Sequence, residues 1–154
     1  MPEPNVKTPS CHGVLEACLY ARDLDAAARF YTEVLGLDAF ASEPGRHMFF
    51  HTGSANVFLL FNPERTREAA ETRRTGIPVP PHGATGAGHV AFAVAEADLG
   101  AWRDSLAAAG VAIEAEISWP QGGHSLYVRD PAGNSVELAS PTLWGLPESR
   151  IVRN

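Results

Sequence analysis

GHSLYVRDPAGNSVELASP (residues 123–141) repeats the pattern of RHMFFHTGSANVFLLFNP (residues 46–63). Both stretches run from a histidine through large apolar residues into a glycine-containing turn, continue as a second apolar strand and close on a proline. They differ in length by one residue, which we place in the turn, so that His47 aligns with His124. The repeat predicts two related β-hairpins, one in each half of the chain.

A second matching pair lies upstream of the hairpins. LEACLYARDLDAAARFYTEVLGL (15–37) and GHVAFAVAEADLGAWRDSLAAAGV (88–111) each contain an apolar strand, an Asp-Leu helix start and a helix that stops at a glycine. Aspartate is a favoured N-cap, and glycine is favoured just past a helix end. The predicted order is therefore strand, helix and three strands, twice over, in an α+β fold. We predict helices near 23–36 and 97–110 and strands near 14–22, 38–42, 46–53, 56–62, 87–95, 112–118, 123–129 and 134–140.

The repeat also divides the chain into segments. The connector between the modules is rich in Arg, Glu, Pro and Gly, and a short helix is predicted in it at 64–74. In the tail, Trp144 and Leu146 are expected to pack back on the body. The predicted segments are an N-terminal extension 1–13, a first βαβββ module 14–63, a connector 64–86, a second βαβββ module 87–141 and a C-terminal tail 142–154.

Composition excludes several classes of function. A chain of 154 residues with a formal net charge of −6 lacks the clustered Lys and Arg that nucleic-acid binding needs. No apolar run approaches the roughly 18 residues of a membrane span, and the N-terminus lacks a signal-peptide layout, so we expect a cytoplasmic protein without a membrane partner. Cys11 and Cys18 are expected to be free thiols.

Three stretches carry a family resemblance. LYVRDPAGNSVEL (126–138), LYARDLDAAARFYTEVLGL (19–37) and GHVAFAV (88–94) together resemble the vicinal-oxygen-chelate superfamily, which includes glyoxalases, bleomycin-resistance proteins and extradiol dioxygenases. The resemblance implies that the two modules form a curved eight-stranded mixed sheet, a glyoxalase-like cup with its helices outside. It also implies metal ligands on the first and last strands of each module, and a homodimer whose modules are sometimes shared between chains.

Strand alternation suggests which side chains enter the cup. In 89–94, His89 shares a face with Ala91 and Ala93, while the larger apolar residues take the other face. The same rule brings Glu137 and Glu16 to the inner face. Two buried carboxylates repel each other, and a divalent cation resolves that cost. One imidazole and two carboxylates suit iron, manganese, zinc, nickel or cobalt, so we predict a metal site formed by Glu16, His89 and Glu137.

The resemblance refines this ligand set. His89 and Glu137 match the second-module ligands of the family, whereas Glu16 stands where the family usually has His or Gln. The remaining ligand position falls near Leu59, which cannot bind a metal. The resemblance thus implies a site of three protein ligands, similar to that of extradiol dioxygenases with Glu in place of one His, and not the four-ligand site of glyoxalase I.

Further residues are candidates for proton transfer or substrate contact. Tyr20 and Glu137 are the candidate catalytic groups, because a phenol and a carboxylate can donate or accept protons. Tyr127 is expected to have a packing role, and His82 is expected to be a linker residue. The two aligned histidines are either substrate contacts or plain strand residues. The candidate substrate-binding residues are His47, Phe49, Leu59, His124 and Trp144.

Two functions remain open from the sequence. One is a metal-dependent dioxygenase, lyase or isomerase acting on a small molecule that chelates the metal through vicinal oxygens or forms an enolate. The other is a non-catalytic protein that binds an antibiotic or another small molecule, as bleomycin-resistance proteins do. Three convergent ligand-type residues favour the enzyme. The sequence leaves open whether Glu16 meets His89 and Glu137 within one chain or across a dimer.

Overall fold

The computed structural model describes residues 9–53, 56–68 and 76–150. The first module begins with strand β1 and a helix that changes from α-helical to π-helical geometry at Phe30. Three strands and a short helix follow. The bounds are β1 Glu16–Tyr20, α1 Leu24–Arg29, the π-helical turn Phe30–Val34, β2 Asp38–Glu43, β3 His47–His51, β4 Val57–Phe61 and α2 Pro63–Thr66.

The second module repeats this order after the connector. A 3-10 turn precedes its helix, and two more follow its last strand in the tail. The bounds are β5 His89–Ala93, the 3-10 turn Glu96–Asp98, α3 Leu99–Ala108, β6 Ala115–Ser118, β7 His124–Arg129, β8 Ser135–Ala139 and the 3-10 turns Pro141–Trp144 and Glu148–Arg150. The helix predicted at 64–74 corresponds to α2, which ends at Thr66, and the last part of that prediction, 69–74, lies outside the described residues.

The strands of the described ranges form two four-stranded sheets with the same topology, ordered β1-β4-β3-β2 and β5-β8-β7-β6. The pairs β1–β4 and β5–β8 are parallel, and the other neighbours are antiparallel. The predicted α+β fold of two βαβββ modules is confirmed. The prediction treated the eight strands as one curved sheet, whereas hydrogen-bonded ladders join them within each module.

The core lies between the sheets and the helices. In the first sheet Phe50, Phe58 and Leu60 are buried, and Tyr31 of the π-helical turn contacts the rings of Phe50 and Phe58. These apolar residues alternate along each strand and therefore lie on one face of the sheet. The opposite face of the sheet does not pack against the helices. The second sheet follows the same rule with buried residues Leu126, Val128, Val136 and Leu138.

Helix starts differ between the modules. The Asp23 carboxylate accepts a hydrogen bond from the Ala26 amide at 3.0 Å, as expected of an N-cap. Asp98, predicted to cap the second helix in the same way, ends a 3-10 turn and makes no side-chain capping bond. The preceding 3-10 turn already supplies backbone partners at this helix end, so the aspartate side chain is not needed there.

Asn134 joins the two modules. Its amide group donates to the Tyr20 carbonyl at 3.1 Å and accepts from the Gly88 amide at 2.8 Å. A Cβ on Gly88 would lie 2.6 Å from Leu19 Cδ2, so the end of β1 packs directly on the start of β5. The Asp-Pro-Ala-Gly-Asn turn at 130–134 therefore holds the modules together as well as reversing the chain.

The tail approaches the β6–β7 hairpin at Gly123, where we predict a large effect of a single methyl group. Gly123 has φ +85°, and a Cβ there would lie 2.5 Å from the Leu143 backbone nitrogen. Gly133 has the same φ of +85° with nothing within 4 Å. Both Ala substitutions incur strain at positive φ, and Gly123→Ala adds a backbone clash. We expect Gly123→Ala to cost about 2 kcal/mol more than Gly133→Ala in urea unfolding; equal losses would contradict the close contact.

No helix within the described ranges is both long enough and apolar enough to cross a membrane. The cytoplasmic location and the absence of a nucleic-acid partner stay predictions from the sequence.

Candidate functional site

The strand register defines an inner face on each sheet, opposite the buried apolar face. In the second sheet Ala91, Glu137 and Tyr127 are aligned across β5, β8 and β7. In the first sheet Cys18 and Leu59 are aligned in the same way on β1 and β4. Paired residues project to the same side of a sheet, so each set shares one surface.

His89 and Glu137 meet on the inner face of the second sheet. His89 Nε2 lies 3.3 Å from Glu137 Oε2. The Glu137 side chain is 9% exposed, whereas that of His89 is 52% exposed. The carboxylate is therefore nearly buried, whereas the imidazole is accessible to a ligand in the cup.

The hydrogen bonds of His89 leave a place for a cation. Its Nδ1 lies 3.1 Å from the Ser135 carbonyl oxygen, which can only accept, so Nδ1 carries the proton. In the neutral form of the imidazole, the Nε2 lone pair faces the Glu137 carboxylate, so that two acceptors meet. A cation at this position removes the conflict. An imidazole whose second nitrogen donates to a backbone carbonyl is also the usual arrangement of a metal-binding histidine, so the pair fits a divalent metal.

Two residues behind Glu137 support it. Trp119 Nε1 donates to Ser125 Oγ at 2.8 Å, and Ser125 Oγ donates to Glu137 Oε1. This chain of donors orients the carboxylate and directs Oε2 towards His89. The sequence did not predict this role for either residue. Ser125 could have been found because it precedes Tyr127 by two positions on β7 and so shares its face; no local pattern marks Trp119.

Tyr127 lies in the cup, where sequence reasoning expected a packing role. It is paired with Glu137 across the β7–β8 ladder, and its ring stacks on that of His89 with centroids 6.3 Å apart. Burial, followed by the negative charge of Glu137, raises the pKa of the Tyr127 phenol. Tyr127 is therefore a protonated hydrogen-bond donor beside the His89–Glu137 pair.

Glu16 lies at the other end of β1 from the module junction. Tyr20, at the end of β1, is bonded to Asn134, next to the start of β5. Glu16 begins the strand, about 13 Å away at the usual rise per residue, and is exposed. Within the described residues no group of three or more His, Cys, Asp or Glu side chains could hold a metal ion. One chain thus brings together His89 and Glu137 and leaves Glu16 apart.

The register gives Glu16 and Leu59 the places in the first module that His89 and Glu137 hold in the second. Each pair belongs to the parallel ladder of a first and last strand. Leu59 is 7% exposed and offers no metal ligand. The first module therefore offers one candidate metal ligand, the Glu16 carboxylate, whereas the second module offers two, His89 and Glu137.

Tyr20, the candidate acid or base, contacts the connector. Its hydroxyl lies 2.7 Å from His82 Nδ1. Burial, with a smaller effect of Cys18, raises the pKa of Tyr20 to about 12, so the phenol stays protonated and donates this bond. His82, expected to be a plain linker residue, therefore closes one side of the inner face. Sequence patterns do not reveal this contact because 62 positions separate the two residues.

His47 and His124 are not equivalent in the structure, although the sequence repeat aligned them. In the β3–β4 ladder His47 pairs with Phe61, and in the β7–β8 ladder the matching pair is Ser125 and Ala139. The alignment was therefore wrong by one residue, which places a side chain on the opposite face of a strand. His47 lies on the inner face with Phe49, while His124 faces away from Ser125 and lies 2.7 Å from Glu96 Oε1 through its Nδ1.

Trp144 does not pack back on the body. The 3-10 turn Pro141–Trp144 buries Leu143 against the hairpin, and the Trp144 side chain on its other side is 77% exposed. Leu146 is only 37% exposed, so the structure contradicts this expectation for Trp144 alone. A tight turn can bury one of two adjacent large side chains against a flat surface, and here the smaller one fits beside Gly123.

The family of the chain follows from comparison with known proteins. The model of the Glyoxalase/Bleomycin resistance protein/Dioxygenase superfamily matches residues 13–138. The chain therefore belongs to this superfamily, as its sequence motifs and its paired βαβββ modules indicate.

Three relatives carry the same name. The protein named "Probable lactoylglutathione lyase" in Vibrio cholerae is 30% identical over 132 residues, covering 84% of this chain and 91% of the relative. Its namesake in Vibrio parahaemolyticus is 28% identical over 127 residues, covering 81% and 88%. The crystal structure of lactoylglutathione lyase from Agrobacterium tumefaciens is similar with a TM-score of 0.80 and 39% identity, covering 90% of this chain and 100% of that one.

Proposed function

We propose that the chain is a metal-dependent enzyme of this superfamily that acts on a small molecule with two vicinal oxygens or an enolisable carbon. The observation that supports it most is the His89–Glu137 pair, in which His89 Nε2 lies 3.3 Å from Glu137 Oε2 and His89 Nδ1 is already bonded to a carbonyl oxygen. The names of the relatives favour lyase or isomerase chemistry over ring cleavage.

We infer that a homodimer completes the site. The second module offers His89 and Glu137, the first offers Glu16, and the three do not meet within one chain. A twofold dimer can place the first module of one chain against the second module of the other, so that Glu16 of a second copy becomes the third ligand. Two sites of three protein ligands then form per dimer, with Leu59 in the place of a fourth.

The metal would supply a Lewis acid that polarises a substrate oxygen. An imidazole with two carboxylates suits iron, manganese, zinc, nickel or cobalt, and three ligands leave positions open for water and substrate. The residues around it have separate tasks. Glu137, oriented by Ser125, accepts a proton at a carboxylate oxygen, while Tyr127 and Tyr20 keep their protons and donate hydrogen bonds to substrate oxygens. The walls of the inner faces hold the rest of the substrate.

Metal content tests this proposal. Protein purified without chelators is expected to contain about one transition metal per chain by plasma mass spectrometry, and His89→Ala is expected to lower metal affinity by about 100-fold or more. His124→Ala is the matched control, because His124 also lies beside a carboxylate, Glu96, but outside the cup. It should keep the metal.

Two outcomes would contradict the proposal. Wild-type protein that stays metal-free after incubation with iron, manganese, zinc, nickel and cobalt would favour a non-catalytic binding protein. Equal metal loss in the His89 and His124 variants would show that the metal is held by surface histidines and not by the cup. If the metal is retained as expected, α-oxo and other enolisable substrates are the first to assay.

A further inference from the structure

The inner face of the first sheet carries a contiguous set of rings, which we call the aromatic row: Phe40, His47, Phe49, His51, Phe61 and His82. His47 stacks on Phe49 with centroids 4.1 Å apart and planes 12° apart, and Phe40 stacks on His51 at 4.2 Å and 25°. Phe40 and Phe49 link the two stacks at 6.3 Å. Phe61 then contacts Phe49 at 5.5 Å and His82 at 4.7 Å, both edge-on.

The row is accessible, and one of its ends is closed. Phe40 is 47% exposed, and Phe49 and Phe61 are half-buried. At the far end the connector brings His82 over Phe61, where the imidazole is held by the Tyr20 hydroxyl at 2.7 Å. The surface is therefore a walled ring-lined face and not a flat sheet face. Aromatic rings in such a wall bind another ring by offset or edge-on stacking.

The charges around the row restrict what it can bind. Among the strand positions that the structure describes on this face there is no Lys or Arg, and the charged side chains there include Glu16 and Glu43. Arg46 precedes His47 of the row in the sequence. Its guanidinium forms an ion pair with Glu43 and donates a hydrogen bond to the Arg65 carbonyl oxygen. Burial lowers the pKa of His47, which keeps its ring neutral at pH 7. At the strand positions that the structure describes on this face, an anionic ligand would find carboxylates and no Lys or Arg.

From this geometry and charge we propose that the aromatic row binds a planar aromatic ligand, or the planar ring of the substrate, that carries no negative charge. This inference rests on the proposed function for the identity of the site, because it names the substrate class of the same cup. The ring contacts and charges that support the aromatic row do not involve the metal. A glutathione adduct, with its carboxylates, does not match the row.

The test compares two probes that share a ring system. Binding of 2-naphthol, neutral at pH 7, and of the anion 2-naphthoate is measured by titration calorimetry on full-length protein stripped of metal with a chelator, so that no metal attracts the carboxylate. We expect saturable binding of 2-naphthol and at least tenfold weaker binding of 2-naphthoate. Phe49→Leu keeps an apolar side chain and removes the ring, and should weaken 2-naphthol binding by about three- to tenfold.

Val14→Ala serves as the control, since it trims an exposed apolar side chain that precedes β1 and is not part of the row, and should leave the affinity for 2-naphthol unchanged. The proposal is overturned if wild-type protein shows no saturable 2-naphthol binding, if 2-naphthoate binds as well, or if both variants lose affinity equally. It is also overturned if Phe49→Leu shifts the monomer–dimer equilibrium in sedimentation while 2-naphthol affinity stays the same, because the row is then a subunit contact.

Metal loading of the same preparation separates this inference from the proposed function. If the protein binds metal but does not bind 2-naphthol, the proposed metal-dependent function stands and the proposed role of the aromatic row is contradicted. Protein that binds 2-naphthol through Phe49 and never loads metal supports the row and contradicts the enzyme.

Discussion

Asp130→Ala is expected to destabilise the protein by about 4 kcal/mol. Asp130 is 4% exposed, and its carboxylate accepts four hydrogen bonds. Oδ2 accepts from the Tyr31 hydroxyl at 2.7 Å and from Asn134 Nδ2 at 2.9 Å. Oδ1 accepts from the Ala132 and Asn134 amides, both at 2.9 Å. Alanine leaves these buried donors without partners, at about 1–3 kcal/mol each before water or relaxation compensates.

The bond from Tyr31 gives this cluster its structural importance, because it joins the helix of the first module to the turn of the second across 99 positions. Burial, and then the Asp130 carboxylate, raises the pKa of Tyr31, so the phenol stays a donor. Tyr31→Phe removes one donor and keeps the packing of the ring, and should cost about 1–2 kcal/mol.

Urea unfolding measures both effects. Asp104→Ala, at an exposed position on α3, is the matched control and should stay within about 0.5 kcal/mol of wild type. If Asp130→Ala lowers the free energy of unfolding no more than Asp104→Ala does, the four hydrogen bonds contribute little to stability. The junction between the modules would then not depend on Asp130.

A heterodimer of Glu16→Ala and His89→Ala chains is expected to hold about one metal ion, although each variant by itself holds almost none. If Glu16 of one chain meets His89 and Glu137 of the other, the mixed dimer contains one intact site and one doubly defective site. The two chains are co-expressed with different tags, the mixed dimer is isolated by tandem purification, and its metal is counted by plasma mass spectrometry.

The control for this experiment is a heterodimer of His89→Ala and Glu137→Ala chains. Both substitutions lie in the second module, so each of the two shared sites is defective and no metal should return. Recovery in the first pair without recovery in the second identifies a site built from two chains. A Glu16→Ala/His89→Ala dimer as metal-poor as its parents would contradict the shared site, and so would a chain that forms no mixed dimer.

Much of the fold follows from local patterns in the sequence. The repeat, the Asp-Leu helix starts and the glycine stops predict two βαβββ modules, because these signals act within a few residues of each other. The period of two along a strand also predicts which residues share the inner face, since backbone geometry sets that period and no tertiary contact is required. His89 and Glu137 were found in this way, and the structure brings their side chains to 3.3 Å.

The limits of local patterns are visible at β3 and β7. The two hairpins differ by one residue, and sequence similarity of the histidines placed His47 and His124 together. The ladders instead match His47 with Ser125. Register depends on pairing with the neighbouring strands, so a repeat read along one strand cannot determine which face a side chain takes.

The sequence by itself therefore determined the paired modules, the family and the inner-face alternation that makes His89 and Glu137 a pair. The tertiary structure decided three further points: that His82 closes the cup over Tyr20, that Ser125 and Trp119 orient Glu137, and that Glu16 lies apart from the pair within one chain. Each of these depends on how separate strands, modules or the connector pack together, and packing between distant segments is set by the whole core and by no single stretch of residues.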